Sequence, residues 1–203
     1  FKGGTNDSSL GAVYYYQSAR LTAQAAKILG QKEDEAHYAD LAEKIRAGIL
    51  NEYFTPSGRF AMDTQASYIV ALHFGLWIDR DRLIAQFRER LKKDGYSIRC
   101  GFVGAPLLCT VLAECGLYEL AYDFLLKEDF PSWLYCVNLG ATTVWERLNS
   151  VGPDGTIANT GMNSLNHYSY GSVMEFVYGY AAGIRPAEPG FRRAILEPHP
   201  DVR

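Results

Sequence analysis

Two neighbouring stretches constrain what this chain can fold into. Thr64 to Phe74 is apolar nearly all round, through Ala66, Tyr68, Ile69, Val70, Ala71, Leu72 and Phe74. Arg80 to Asp94 instead confines Leu83, Ile84, Phe87 and Leu91 to one stripe and gives the rest to Arg88, Glu89, Arg90, Lys92 and Lys93. A helix that is hydrophobic on every side must be buried on most of them, whereas one with a single apolar stripe keeps a wet back. The first stretch is therefore expected as an inner helix and the second as an outer one.

The same alternation runs through the chain. Asp7-Ser8-Ser9 can cap a helix in which Leu10, Val13, Tyr14, Gln17, Leu21, Ala25 and Ile28 recur at helical spacing until Gly30 ends it. A second helix is expected from near Glu33 to Tyr53, with Tyr38, Leu41, Ile45 and Ile49 inward. Ala105 to Cys115 reads as oily, and Tyr118 to Lys127 as short and amphipathic with Tyr118, Ala121, Tyr122 and Leu125 inward. Asn166 to Ala182 is again apolar and aromatic. The class is all-α, with about seven helices alternately inner and outer. Short connections make successive helices antiparallel neighbours. All inner helices then point one way, and the segments entering them (59–65, 97–104, 131–147 and 159–167) should meet on one rim. From Gly190 the pattern changes, because Phe191 to Pro198 alternates like a strand. Residues 1–189 are thus expected to form a helical domain and 190–203 the start of a β-domain.

Composition excludes several functions. A formal charge of −3 and a pI near 5.8 leave no basic stripe for a nucleic acid. No apolar run reaches the roughly 18 residues of a membrane span, and Phe1-Lys2-Gly3-Gly4-Thr5 lacks the pattern of a secretory signal. Cys100, Cys109, Cys115 and Cys136 lack CxxC spacing and read as buried thiols, which points toward a reducing, cytoplasmic compartment. The histidines are scattered, so no metal and no cofactor is expected.

The chemistry concentrates in Gly140-Ala141-Thr142-Thr143-Val144-Trp145-Glu146-Arg147 and Met162-Asn163-Ser164-Leu165-Asn166-His167-Tyr168. A carboxylate, a guanidinium, an indole, an imidazole and an amide lie close together in sequence there. Sugar hydroxyls need planar polar partners and the C–H faces of a sugar ring need an aromatic plate, so the grouping suits a carbohydrate. On the residues alone, Glu146 could equally pair with Arg147, His167 could cap a helix, and Trp133 and Trp145 could be core packing. Asp63, Gln65, Arg99, Asn163 and Asn166 are rim candidates that could equally be turn or cap residues.

Together with Gly101-Phe102-Val103-Gly104 and Pro131-Ser132-Trp133-Leu134-Tyr135, these motifs occur in an order that resembles the second half of the catalytic domain of bacterial α-L-rhamnosidases, glycoside hydrolase family 78. The likeness runs over essentially the whole chain. It implies a partial α/α toroid of helix hairpins followed by a β-sandwich. It also implies an inverting hydrolase that removes terminal α-L-rhamnose from glycosides or polysaccharides. Glu146 falls where the family's general base falls, His167 matches a sugar-binding histidine, and Trp133, Trp145, Arg147 and Asn166 lie in motifs near the pocket. The family's acid lies upstream of these residues, in the first half of the toroid; Asp63 is only a weak substitute. The open toroid face then needs the remainder of the catalytic domain or a partner to cover it, and the chain by itself should be inactive. A non-catalytic carbohydrate-binding or structural half-toroid is the alternative.

Overall fold

The computed structural model describes residues 4–158 and 161–203. Of the stretches singled out above, Phe1-Lys2-Gly3 and the first two residues of the 159–167 segment lie outside the described residues. The chain divides into two compact units, one up to Lys92 and one from Lys93.

In the first unit, helix α1 (Asp7–Leu29) packs along α2 (Lys32–Tyr53). Asn6 caps α1, its Oδ1 accepting from the Ser8 N–H at 2.8 Å, and Gly30 closes it in the left-handed region at φ 71°. The buried face of α1 differs from the expected stripe. Ser9, Val13, Tyr16, Ala19 and Ala26 are buried, whereas Leu21 and Ile28 are 51% and 85% exposed. This helix carries apolar residues on more than one side, and the side with serine and alanines lets a neighbouring backbone come closest.

Helix α3 (Gln65–His73) begins at Thr64, whose Oγ1 accepts from the Ser67 N–H, and Gln65 through Leu72 are all buried. Helix α4 (Arg80–Lys93) buries Leu83, Phe87 and Leu91, as its stripe demands. Between α2 and α4 an aromatic row fills the core. Phe54 stacks on Phe60 at 4.6 Å, Phe60 meets Tyr68 edge-on, and Tyr68 stacks on Phe87 at 5.8 Å.

In the second unit, α5 (Ala105–Glu114) is the buried helix and α6 (Tyr118–Leu125) packs against it. Phe124 joins Ala121 and Tyr122 on the buried side of α6. The crossing from 131 to 147 contains a helix that periodicity did not reveal, α7 (Trp133–Asn138), capped by Ser132, whose Oγ accepts from the Tyr135 N–H at 3.1 Å. The helix expected over 166–182 is broken. A 3-10 segment at Ser169–Val173 leads into a single α turn, α8 (Met174–Phe176), and then a π turn at Val177–Ala181. Gly171 and Gly179 weaken the local preference for a regular helix. The Arg185 guanidinium also takes the Gly179 carbonyl at 2.7 Å, which favours a change of pitch there.

The strand-like tail is realised in part. Strand β1 (Ile184–Pro186) pairs antiparallel with β2 (Ala194–Leu196), Arg185 facing Ile195. Strand character therefore begins ahead of Gly190. Gly183, at φ 70°, makes the approach possible: a Cβ there would lie 2.0 Å from the Glu197 carbonyl oxygen. Tyr122 then holds the tail by donating to the His199 carbonyl at 2.6 Å. Among the described residues no helix is long and apolar enough to cross a membrane.

Candidate active site

The two motifs that carry the polar chemistry are joined main chain to main chain. The Glu146 N–H donates to the Ser164 carbonyl at 2.9 Å and the His167 N–H to the Val144 carbonyl at 2.7 Å. The Thr143 hydroxyl closes the same ledge on the Leu165 carbonyl. Residues 143–146 and 164–167 thus run side by side, which brings the backbones of Glu146 and His167 onto one short paired segment.

Glu146 is half-buried. Its Oε2 accepts the Ser164 N–H at 2.7 Å, a charge-assisted bond that orients the carboxylate. Arg147 turns elsewhere, its Nη2 donating to the Gly161 carbonyl at 3.1 Å and its backbone N–H to Ser150 Oγ at 3.1 Å. In the structure the guanidinium braces the loop.

His167 stacks on Phe102 at 5.0 Å and 21° and on Tyr168 at 5.2 Å and 13°. The Ser169 N–H donates to its Nδ1 at 3.3 Å. A neutral ring that accepts at Nδ1 carries its proton on Nε2, so the other edge of the imidazole presents a donor. Asn166 is exposed, and its main chain is tied to Ser164: the Asn166 N–H donates to Ser164 Oγ, and the Ser164 hydroxyl donates to the Asn166 carbonyl, both at 3.1 Å.

Trp133 and Trp145 share a different feature. With Cys136, Val137, Thr142, Val144, Leu148 and Tyr170 they line a hollow of about 280 Å³, and neither Glu146 nor His167 is among its lining residues. Trp133 is fixed there by donating Nε1–H to the Tyr170 carbonyl at 2.8 Å, and Trp145 is 7% exposed. The lining carries no charge at neutral pH. Burial pushes the Cys136 thiol up to about 11, and burial above all, with smaller effects from Cys100 and Cys136, pushes the Tyr170 hydroxyl up to about 12.

The remaining rim candidates divide. Asn163 clamps loops, its Nδ2 donating to the Ser150 and Ala158 carbonyls at 3.3 Å. Gln65 is buried and Arg99 exposed. Asp63, in the first unit, accepts from the Tyr68 hydroxyl at 3.3 Å and pairs with Arg90 at 3.4 Å. Two contributors were overlooked in the sequence, Phe102 and Ser164. Phe102 could have been noticed as an aromatic between the glycines of its motif; Ser164 carried no signal beyond its place two residues before Asn166. Among the described residues no group of three or more His, Cys, Asp or Glu side chains could hold a metal ion.

The mostly helical packing that carries this ledge is that of a six-hairpin glycosidase domain. Residues 1–181 match the bacterial alpha-L-rhamnosidase 6 hairpin glycosidase domain, and the chain belongs to that family. It is 38% identical over 203 residues to an alpha-L-rhamnosidase of Formosa agariphila, covering 98% of this chain and 22% of that protein. An alpha-L-rhamnosidase of Streptomyces avermitilis is 38% identical over 197 residues, covering 94% and 18%. Among solved structures, the Streptomyces avermitilis alpha-L-rhamnosidase complexed with L-rhamnose superposes with a TM-score of 0.87 at 36% identity, over 95% of this chain and 19% of that one. The native enzyme from Aspergillus terreus gives 0.90 at 31% identity, over 97% and 23%. The chain spans about a fifth of the length of the curated relatives it matches. The all-α fold, part of an α/α toroid with a short sheet at its end, agrees with these neighbours.

Proposed function

We propose that this chain contributes the general base and part of the sugar site to a glycoside hydrolase that removes terminal α-L-rhamnose from glycosides or polysaccharides with inversion. Residues 1–189 would form part of the toroid and 190–203 would open a β-sandwich. What carries the reading is the Glu146 carboxylate, held by the Ser164 N–H and not by the neighbouring Arg147. A carboxylate oriented by one oxygen keeps the other available for a water molecule.

In this reaction Glu146 takes a proton from that water as its oxygen attacks the anomeric carbon, and the bond to the leaving oxygen breaks on the opposite face. The leaving oxygen takes a proton from an acid supplied by the upstream part of the toroid, roughly 6.5–9.5 Å from the base as inversion requires. His167 donates from Nε2 to a sugar hydroxyl and the exposed Asn166 offers a further polar contact, while Arg147 contributes by bracing the loop through Gly161. Trp133 would offer aromatic surface to the apolar parts of the substrate through the hollow it lines, while Trp145, 7% exposed, would serve mainly as packing behind that hollow.

The test is hydrolysis of an aryl α-L-rhamnoside by the full-length polypeptide, with the first-formed anomer followed by NMR. Release of β-L-rhamnose is the expected result. Release of the α-anomer, or no hydrolysis of any α-L-rhamnoside, overturns the proposal. The 203-residue chain by itself is expected to show no turnover.

A further inference from the structure

Ser164 meets Glu146 twice through its main chain. Its N–H reaches Oε2 at 2.7 Å, and its carbonyl takes the Glu146 N–H at 2.9 Å. A peptide N–H can orient a carboxylate only as well as its own peptide plane is held. The plane here lies in a loop with no helix or sheet behind it, since residues 161–168 form no regular element. The Ser164 carbonyl is tied by the Glu146 N–H, and the turn that follows is closed by the Ser164 hydroxyl, which accepts the Asn166 N–H and donates to the Asn166 carbonyl, both at 3.1 Å. The 164–166 turn is thereby closed on a side chain. The Thr143 bond to the Leu165 carbonyl holds the residue between them.

We infer that Ser164 is a positioning residue for hydrolysis: its hydroxyl locks the turn whose peptide N–H aims the Glu146 carboxylate at the attacking water. Its part is played through the Glu146 carboxylate. The inference rests on Glu146 being the base. His167 follows the turn directly but has anchors of its own besides, the N–H to Val144 and the ring contacts with Phe102 and Tyr168. Loosening the 164–166 turn should therefore disturb the base more than the sugar contacts.

The experiment compares Ser164→Ala, Ser164→Thr, Ser164→Asn and Glu146→Gln in the full-length polypeptide, measuring kcat and KM on an aryl α-L-rhamnoside and Tm. Threonine keeps the hydroxyl, and asparagine offers an acceptor to the N–H two residues on. Ser164→Ala is expected to lower kcat by about tenfold or more, with KM within about threefold, as loss of an interaction made only in the transition state requires. Ser164→Thr and Ser164→Asn should recover most of that loss. If Ser164→Ala does not fold, near-normal kcat in both other variants supports the inference and a tenfold loss in both overturns it. Normal kcat in Ser164→Ala with an inactive Glu146→Gln overturns the role of Ser164 and leaves the base in place. An active Glu146→Gln removes the base itself. A Ser164→Ala defect that lies in KM, or that neither threonine nor asparagine repairs, also overturns it.

Discussion

Replacing Glu146 by Gln removes the charge needed to accept a proton while keeping the shape of the side chain. The amide oxygen of the glutamine can still accept the Ser164 N–H that now reaches Oε2 at 2.7 Å, so the ledge should persist. Exchanging a charge-assisted hydrogen bond for a neutral one at a half-buried site costs about 1 kcal/mol. At roughly 2–4 °C per kcal/mol for 150–250 residues, and less for a longer polypeptide, Tm should fall by no more than about 4 °C. The chemical step loses far more. A positioned general base contributes about 10²–10⁴-fold, which at about 1.36 kcal/mol per decade is about 3–5.5 kcal/mol of barrier. The expected result is therefore a kcat for p-nitrophenyl α-L-rhamnoside lowered by about 10²–10⁴ with KM little changed, measured on the full-length polypeptide beside a thermal melt. A variant with kcat within about tenfold of the parent and an unchanged melt would falsify the assignment. A melt lowered by more than about 10 °C would refute the argument that the amide replaces the carboxylate in the loop.

Three further outcomes follow from the packing. Phe87→Ala removes a fully buried ring stacked on Tyr68 and should cost about 3–5 kcal/mol, seen by circular dichroism as a Tm lower by about 6–20 °C; a shift under about 3 °C would mean that the aromatic row does not hold the first unit. Gly183→Ala places a methyl 2.0 Å from the Glu197 carbonyl oxygen at a left-handed position, so amide exchange in β1 and β2 should quicken by about tenfold or more while α5 is unaffected; unchanged exchange in the strands would contradict the close approach. Burial, first among its causes, holds the Cys100 thiol up to about 12, against 9.0 for an ordinary thiol, and burial likewise raises Cys136 to about 11. These thiols stay protonated in the folded chain while the unfolded chain loses its protons from about pH 9, so their stabilisation is present below pH 9 and drains away toward pH 12. A melting temperature as high at about pH 10.5 as at pH 8 would count against buried, protonated thiols.

Much of the helical architecture was legible from residue order. Helices α3 and α4 follow directly from their apolar patterns, because a period of 3.6 records which sides are buried whatever the neighbour is. The left-handed stop at Gly30 was readable for the same local reason, whereas the cap of α1 falls on Asn6, one residue ahead of the Asp7-Ser8-Ser9 run expected to supply it. The buried side of α1 was not. Apolar residues stand on more than one side of it, and the side that is buried, with Val13, Tyr16, Ala19 and Ala26, was settled only when it packed along α2. The helix near 166–182 looked continuous, but Arg185 competes for the Gly179 carbonyl from outside it.

The site shows the same division. The candidates Glu146, Arg147, Asn166, His167 and the two tryptophans could be named from the chain, since chemistry belongs to residue types. Which of them meet could not. Glu146 turns to a peptide N–H eighteen positions away and not to the adjacent Arg147, the tryptophans line a hollow to which Glu146 does not contribute, and Phe102 arrives at His167 from another loop. Helical periodicity is a property of neighbours in sequence and survives any tertiary arrangement. The partner of a loop carboxylate is chosen only when distant segments close on each other, and no local pattern encodes that choice.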